Sequence, residues 1–400
     1  MEEAARREPV IVDVDPFSEK ALRNPDWFDQ IALAADGVIY LPRYDLWAVA
    51  KFDQVRSTFM DWRRFSSAFG TGLTHIGKSG NWRRPSLILE NDPPDHARYR
   101  KIFASVLTGA TLQVIRDRFE ASTDALVRAL VAKRHFDAVT ELAEAVPLQI
   151  VPTMLGLPAE AHDLMLIYSE LNFNSMGPKN ELWRKSQEKA APIVETVMEM
   201  CRRENLSDDG LGARIYNECA AAGLPEDDAA TLVRTFFSAS MDTTMHGIGF
   251  AIQALAERPE QWAMLHADPS LAKTAFEEAL RFRSPSPFIA RTTTCDVDID
   301  GVRIPADSKV LMLVGAANRD PRKFERPDEF DIQRDVRGHV GFGVGIHACI
   351  GQVVARLEAE LALEALARRA ARLAPDGEPV DHLNNWLRGL SSLPVSVEPA

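Results

Sequence analysis

Gly341-Phe342-Gly343-Val344-Gly345-Ile346-His347-Ala348-Cys349-Ile350-Gly351 is the stretch on which the reading of this chain turns. Glycines at alternate positions let the backbone turn sharply and approach something closely. The residues that follow, QVVARLEAELALEAL, read as a helix. That places Cys349 at a helix start, where unpaired N–H groups and the positive dipole end favour a thiolate over a thiol.

A single thiolate held in this way suits a soft metal centre, and a lone cysteine suits haem iron better than zinc. Two plainer readings compete. Gly343-x-Gly345-x-x-Ala348 matches a dinucleotide-binding fingerprint. However, no buried strand leads into it, no acidic residue lies in 365–375 to hold a ribose, and only about fifty residues remain for a βαβ fold. A buried packing cysteine is the other reading. Phe342, His347 and Gly351, standing at the other positions of a cysteine-ligand loop, weigh against it.

Composition narrows the class. With 400 residues, 46% hydrophobic and 26% charged, the chain is ordinary globular material with enough length for a large core. The longest apolar candidate, 310–317, is strand-sized, so no membrane span is expected. The first residues, MEEAARREPVIVDVDP, are too acidic and polar for a targeting segment. A net charge of −12 argues against a nucleic-acid partner. The cysteines, Cys201, Cys219, Cys295 and Cys349, form no C-x-x-C pair, which removes a disulfide scaffold and the usual zinc spacings. A reducing cytoplasm is the expected location.

Helical periodicity dominates, over about 110–132, 182–203, 226–257, 269–283 and 351–373. Short strands are expected at 37–41, 46–49, 297–304, 309–314 and 393–397. No linker, repeat or low-complexity block appears. The expected fold class is mainly α, a single helix-rich domain over 1–400 with small marginal β-sheets.

The loop Phe342-Gly-x-Gly-x-His-x-Cys-x-Gly351 resembles the haem-binding loop of bacterial cytochromes P450, and three further motifs extend the resemblance over nearly the whole chain. Glu278-Ala-Leu-Arg281 resembles the family's E-x-x-R helix motif, and Arg334 falls where the family places a second arginine. Ala239-Ser-Met-Asp-Thr-Thr244 resembles its oxygen-activation motif, with Ser240 in place of the usual glycine. The resemblance implies the cytochrome P450 fold, haem b ligated by Cys349, and a monooxygenase using O2. With no reductase domain in the chain, it implies an external [2Fe-2S]-type ferredoxin and an NAD(P)H-dependent ferredoxin reductase.

Roles follow by the same resemblance. His96, Arg100, Arg291 and His347 are expected at the haem propionates, with Phe342 and Gly351 completing the cofactor loop. His96 and Arg100 lie at i, i+4 on a helix starting after Pro93-Pro94 and share a face. Glu278, Arg281 and Arg334 are expected to form a buried structural charge network bracing the cysteine loop. Asp242 and Thr243 are the expected catalytic pair, a hydroxyl relaying protons that the acid resupplies. Ser238, Ser240, Asp242, Thr243 and Thr244 interrupt an otherwise apolar helix, poor choices unless something needs them. The Ser240 hydroxyl either alters the oxygen groove or bonds back to its own helix.

Trp82-Arg-Arg-Pro-Ser-Leu-Ile-Leu-Glu90, Phe173-Asn-Ser-Met-Gly-Pro178 and Leu232-Val-Arg-Thr235 resemble a narrower group, the bacterial P450s that O-demethylate para-methoxybenzoates. That likeness implies Arg83, Ser86 and Thr235 as carboxylate anchors, supported by Arg234. Without it, Arg83 reads as part of a solvated loop. It implies pocket walls from Leu89, Phe173, Met176, Ser238, Ala239, Ser286 and Ile289. Met176 and Ile289 stand where the group has aromatic residues, and Ser286 where it has a branched apolar one, so a roomier pocket is expected. Thr235, Ala239 and Thr243, at i, i+4 and i+8 of one helix, give a ruler of ~12 Å at ~1.5 Å per residue. A P450 acting on a terpenoid or macrolide, a haem-thiolate sensor or carrier without turnover, and a haem-free cysteine enzyme remain the alternatives.

Overall fold

In the computed structural model, residues 7–79 and 82–400 are described. Met1–Arg6, Gly80 and Asn81 lie outside them, and with them part of the N-terminal segment judged too polar for targeting. Among the described residues no helix is long and apolar enough to cross a membrane.

Helices carry the core. Helix Asp242–Ala256 is buried along nearly its whole length and packs on helices Ala272–Phe282 and Gln352–Arg369. Helix Gln352–Arg369 in turn packs along helix Gly109–Lys133, which matches the expected 110–132 segment closely. A six-stranded sheet stands beside this bundle, in the order Val10–Ile11, Ile39–Leu41, Leu46–Val49, Lys309–Leu313, Phe288–Thr293, Phe65–Ser66. Within it, Ile289 pairs with Met312 and Arg291 with Val310. Alternation along the strand puts Ile289 and Arg291 on one face.

Several elements end earlier than their periodicity predicts, each for a local reason. The 182–203 segment is Glu181–Ala190, a 3-10 turn at Ala191–Ile193 carrying Pro192, then Val194–Met200. A proline inside a helix removes a hydrogen bond and clashes with the preceding turn. The 269–283 helix begins at Ala272 after a 3-10 turn, Pro269–Leu271. The C-terminal helix stops at Arg369, and Ala370–Pro375 turns into a strand pairing with Pro394–Pro399. The 297–304 strand is a tight hairpin, because Asp300 and Gly301 both adopt positive φ. Most consequential, the 226–257 helix is two helices, Glu226–Ala239 and Asp242–Ala256, broken at Ser240 and Met241.

One buried charge cluster ties the bundle to the segment before the cysteine loop. Arg281 donates Nε and Nη2 to the two oxygens of Glu278 at 2.7 and 2.8 Å, with both side chains fully buried. Its Nη1 donates to the carbonyls of Asn318 and Pro327, and Nη2 also reaches Glu329 O. Arg334 Nε donates to Glu278 Oε1 at 3.1 Å. Asn318 continues the chain, because its Oδ1 accepts from Val340 N at 2.8 Å, immediately before Gly341.

Arg281→Ala strands Glu278 as a buried carboxylate that has lost its main partner, a loss of about 3–5 kcal/mol in stability. Urea unfolding at neutral pH checks this. A loss below about 1 kcal/mol, as for an exposed pair, would show that the cluster does not hold this segment.

Candidate active site

The cysteine loop takes its shape from positive-φ glycines, Gly343 at 64° and Gly345 at 77°. A Cβ on Gly345 would also lie 3.1 Å from Phe59 O, so the helix Phe52–Met60 and the loop fit together only without that side chain. Cys349 N donates to Phe342 O at 2.7 Å. The residue is exposed, yet protein surrounds its thiol so deeply that burial pushes it up. An exposed residue in a buried setting faces an internal space. Backbone N–H groups of Gly351 and Gln352, with Arg100 and Arg356, pull the thiol back down. The expected preference for thiolate is present in these donors, but burial outweighs it in the protein alone.

The expected cationic residues gather on one side of this loop. Arg100 Nη2 donates to Ala348 O at 2.7 Å. The His96 and His347 rings are 4.3 Å apart, and His347 Nε2 lies 3.3 Å from Asp92 Oδ1. Burial, then the neighbouring His347 and Arg100, pushes His96 down to about 4. Arg291 is buried and pushed by burial to about 10. Among the described residues no ion pair joins Arg100 or Arg291 to a carboxylate, and His96 Nε2 and His347 Nδ1 are buried without partners. A buried and a half-buried cation without ion pairs, beside buried donors without partners, fit a bound dianion. A haem propionate edge is one, and the Cys349 thiolate fits its iron.

Residues invisible to motif reading complete this frame. Glu277 accepts from His339 Nε2 at 2.7 Å and from Arg356 Nε. Burial pushes Glu277 up, but these bonds win and hold it at about 2. Arg356 lies 4.6 Å from the Phe342 ring, fixing that side chain against the loop. The pairing of Arg356 with Glu277 spans 79 positions, and no local pattern signals it.

The helix break carries Asp242 and Thr243. Backbone bonding runs to Ser240 N→Phe236 O and resumes at Met245 N→Met241 O. Side chains fill the gap. Thr243 Oγ1 donates to Ala239 O at 3.0 Å, and the freed Ser238 carbonyl accepts from Asn172 Nδ2 at 3.2 Å. Ser240 Oγ bonds back to Phe236 O, the second of the two fates expected for it. Thr235 and Thr243 are therefore on different helices, and the ruler drawn for one continuous helix does not apply. Ala239 is exposed and Ser240 half-buried between the buried Ser238 and Met241, so the break opens onto accessible space. Asp242 is buried, and desolvation together with the carboxylates of Glu170 and Glu144 raises it to about 8.

The expected substrate residues divide into two groups. Phe173, Met176, Phe288 and Ile289 belong to one hydrophobic cluster, with Ser286 Oγ turned to Phe288 O. At the other end Arg83 is not in a solvated loop. Its Nε donates to Asn172 Oδ1 at 3.0 Å and its Nη1 to Glu90 Oε2 at 2.7 Å, with 7% of the side chain exposed. Ser86 N donates to the same Glu90 oxygen, and Ser86 Oγ accepts from Leu89 N. Glu90 thus already neutralises Arg83. Arg234 Nη2 donates to Arg84 O, while its Nε is buried and has no partner among the described residues. The buried Tyr168 hydroxyl feels the charges of Arg234 and Arg83 and is lowered by Ser238 as well. Thr235 Oγ1 and Ser238 Oγ bond back to their own helix.

Asp242 yields a stability prediction. Its folded pKa, about 8, lies above the ordinary 3.8, so between those values the folded state binds the extra proton. Stability therefore falls as pH rises through that window, by up to about 1.4 kcal/mol per unit. Asp242→Asn removes this slope, and urea midpoints at pH 5 and pH 8 should converge toward one value. Equal slopes in both proteins would show that Asp242 is ionised when folded.

The cytochrome P450 family model matches residues 39–398. The chain is 44% identical over 388 residues to cytochrome p450 CYP199A2 of Rhodopseudomonas palustris, covering 97% of this chain and 94% of that protein. It is 32% identical to cytochrome P450 107B1 of Saccharopolyspora erythraea, over 88% and 89% of the two chains. Cytochrome P450 CREJ, solved in complex with (4-ethylphenyl) dihydrogen phosphate, aligns with a TM-score of 0.86 at 26% identity over 96% and 99% of the chains. A cysteine loop facing internal space, cations without ion pairs among the described residues beside it, a central helix broken just before Asp242 and Thr243, and these matches have one reading: the chain belongs to the cytochrome P450 family and is a haem-thiolate monooxygenase that binds haem b.

Proposed function

We infer that this P450 oxidises para-substituted benzoic acids, most simply by O-demethylating 4-methoxybenzoate-type aromatics. The observation that carries this reading is Arg234, a buried guanidinium with no carboxylate partner among the described residues, close enough to the buried Tyr168 hydroxyl for its charge to act there. A buried cation without a counter-ion suits an anionic ligand, and the guanidinium fork suits a carboxylate. Arg83, held by Glu90, contributes shape and hydrogen bonding more than net charge. Arg83, Ser86 and Thr235 orient the acid, while Leu89, Phe173, Met176, Ser238, Ala239, Ser286 and Ile289 bound the ring.

Cys349 ligates the haem iron, and His96, Arg100, Arg291 and His347 receive its propionates, with Phe342 and Gly351 shaping the loop. When bound, the haem supplies the electron-transfer and dioxygen chemistry. Asp242 holds a proton at its carboxyl, and Thr243 Oγ1 passes it into the groove opened by the helix break. O2, two electrons and two protons convert the methoxy carbon to a hemiacetal, with release of one water. The hemiacetal collapses to the phenol and formaldehyde. Electrons come from a ferredoxin and its NAD(P)H-dependent reductase, and the setting is cytoplasmic.

The pairing of Arg83 with Glu90 favours a second reading, a neutral substrate in the same pocket. Following the Soret band while titrating 4-methoxybenzoate and its methyl ester separates the two. The acid should bind and the ester fail. Arg234→Gln should weaken the acid about 10- to 100-fold, for the ~1.5–3 kcal/mol of a hydrogen bond to a charged group. Formaldehyde should appear when ferredoxin, reductase and NAD(P)H are added. An ester that binds as well as the acid would establish the neutral-substrate reading. Larger para-alkoxy and meta-substituted benzoates should also bind if Met176, Ser286 and Ile289 leave the extra room.

A further inference from the structure

Asp242 has a buried companion outside the family motifs. His246 stands one turn along the same helix and on the same face. It is 1% exposed, and neither ring nitrogen has a partner among the described residues. His382, on the strand Val380–Leu383, lies with its ring 5.0 Å from that of His246, and its Nε2 is buried and unpartnered too. Across the hairpin His382 pairs with Gly389, where a Cβ would come within 2.2 Å of His246 Nδ1. Only glycine there lets the imidazole stand beside its neighbour.

Beyond His382 lies Glu170, on helix Ala161–Asn174, whose charge acts on both His382 and Asp242. Its side chain is 29% exposed and reaches Lys189 at 3.9 Å, so this end of the row meets solvent. The hydroxyl of Ser169, the residue before it, pulls Asp242 back down. Lys189 also acts on His382, and Glu144 on Asp242.

Packing alone does not account for the pair. Each buried polar nitrogen left unmade costs about 1–3 kcal/mol, and buried polar groups find protein or water partners. A polar space with several such nitrogens suits ordered water. Burial keeps both imidazoles below their usual range and hence neutral. A neutral imidazole donates at one nitrogen and accepts at the other. Asp242, once it has given up a proton, is left as a carboxylate facing the carboxylates of Glu170 and Glu144.

We propose that His246 and His382, bridged by water, form a relay that returns protons from Glu170 at the surface to Asp242. A proton enters the Glu170 carboxylate from solvent and passes to one ring nitrogen of His382. The other nitrogen releases its proton to His246, which likewise releases one to Asp242. Both imidazoles end neutral, and no electrons move. The relay rests on the reading of Asp242 as the acid. His246 and His382 act through Asp242 as positioning residues.

The test uses reconstituted holoenzyme with ferredoxin, reductase and NAD(P)H, comparing Asp242→Asn, His246→Gln, His382→Gln and the double histidine variant. Each histidine variant should lower product-forming turnover at least about tenfold, within what general acid catalysis contributes. The solvent deuterium isotope effect should rise, while the Soret-monitored substrate affinity stays unchanged. The double variant should be no worse than either single one, because both act on one route. Independently of turnover, the infrared carbonyl band of protonated Asp242 should shift in His246→Gln. If Asp242→Asn lowers turnover but folded, haem-loaded histidine variants keep the wild-type rate and isotope effect, the relay is wrong and the acid stands. If Asp242→Asn changes neither, both fall.

Discussion

Glu278 and Arg281 meet where no water reaches, and each answers the other's charge with paired hydrogen bonds. Such a pair contributes little net stability, because desolvation offsets most of the attraction. Its value lies in direction. The remaining Arg281 donors are fixed on three carbonyls of the 318–329 segment, and Asn318 in turn holds Val340. The cysteine loop begins one residue later. Glu277, next to Glu278 on the same helix, faces the other way and grips His339 and Arg356. One helical turn of adjacent acids thus sets both flanks of the loop, and the place of Cys349 follows.

The site is asymmetric in charge. An acidic chain, at −12 overall, keeps Arg291 and Arg234 buried and Arg100 half-buried without carboxylate partners among the described residues, while Arg83 has one. Unpaired buried cations are costly, which is why they mark where anions bind. The Asp242 end is the opposite: its charged neighbours, Glu170 and Glu144, are acids, and proton movement rather than ion binding suits it.

Much of this was legible in the sequence, and the boundary of legibility is physical. The cysteine loop, the Glu278–Arg281 spacing and the polar run at 238–244 are short-range patterns of residues that are costly without a purpose. The helix break was not legible, because apolar periodicity continues through Ser240 and Met241 while the hydrogen-bond ladder lapses. Nor was the capture of Arg83 by Glu90 and Asn172. Glu90 is seven positions away in an irregular segment and Asn172 is 89 away, so only the folded chain brings all three together. The His246–His382 pair depends on Gly389 in a hairpin far along the chain, and a lone histidine on an apolar helix gives no hint of it.

Asn172 has one further effect. Its amide nitrogen holds the Ser238 carbonyl released by the helix break, and its amide oxygen accepts from Arg83. Phe173, the next residue, is a pocket-cluster residue. Under the proposed function, a guest that displaces helix 161–174 would therefore also pull on the backbone of the helix break beside Thr243. Electron yield should then follow the fit of the guest: a molecule seated without strain should leave the break intact, and one that wedges the helix outward should divert reducing equivalents to peroxide.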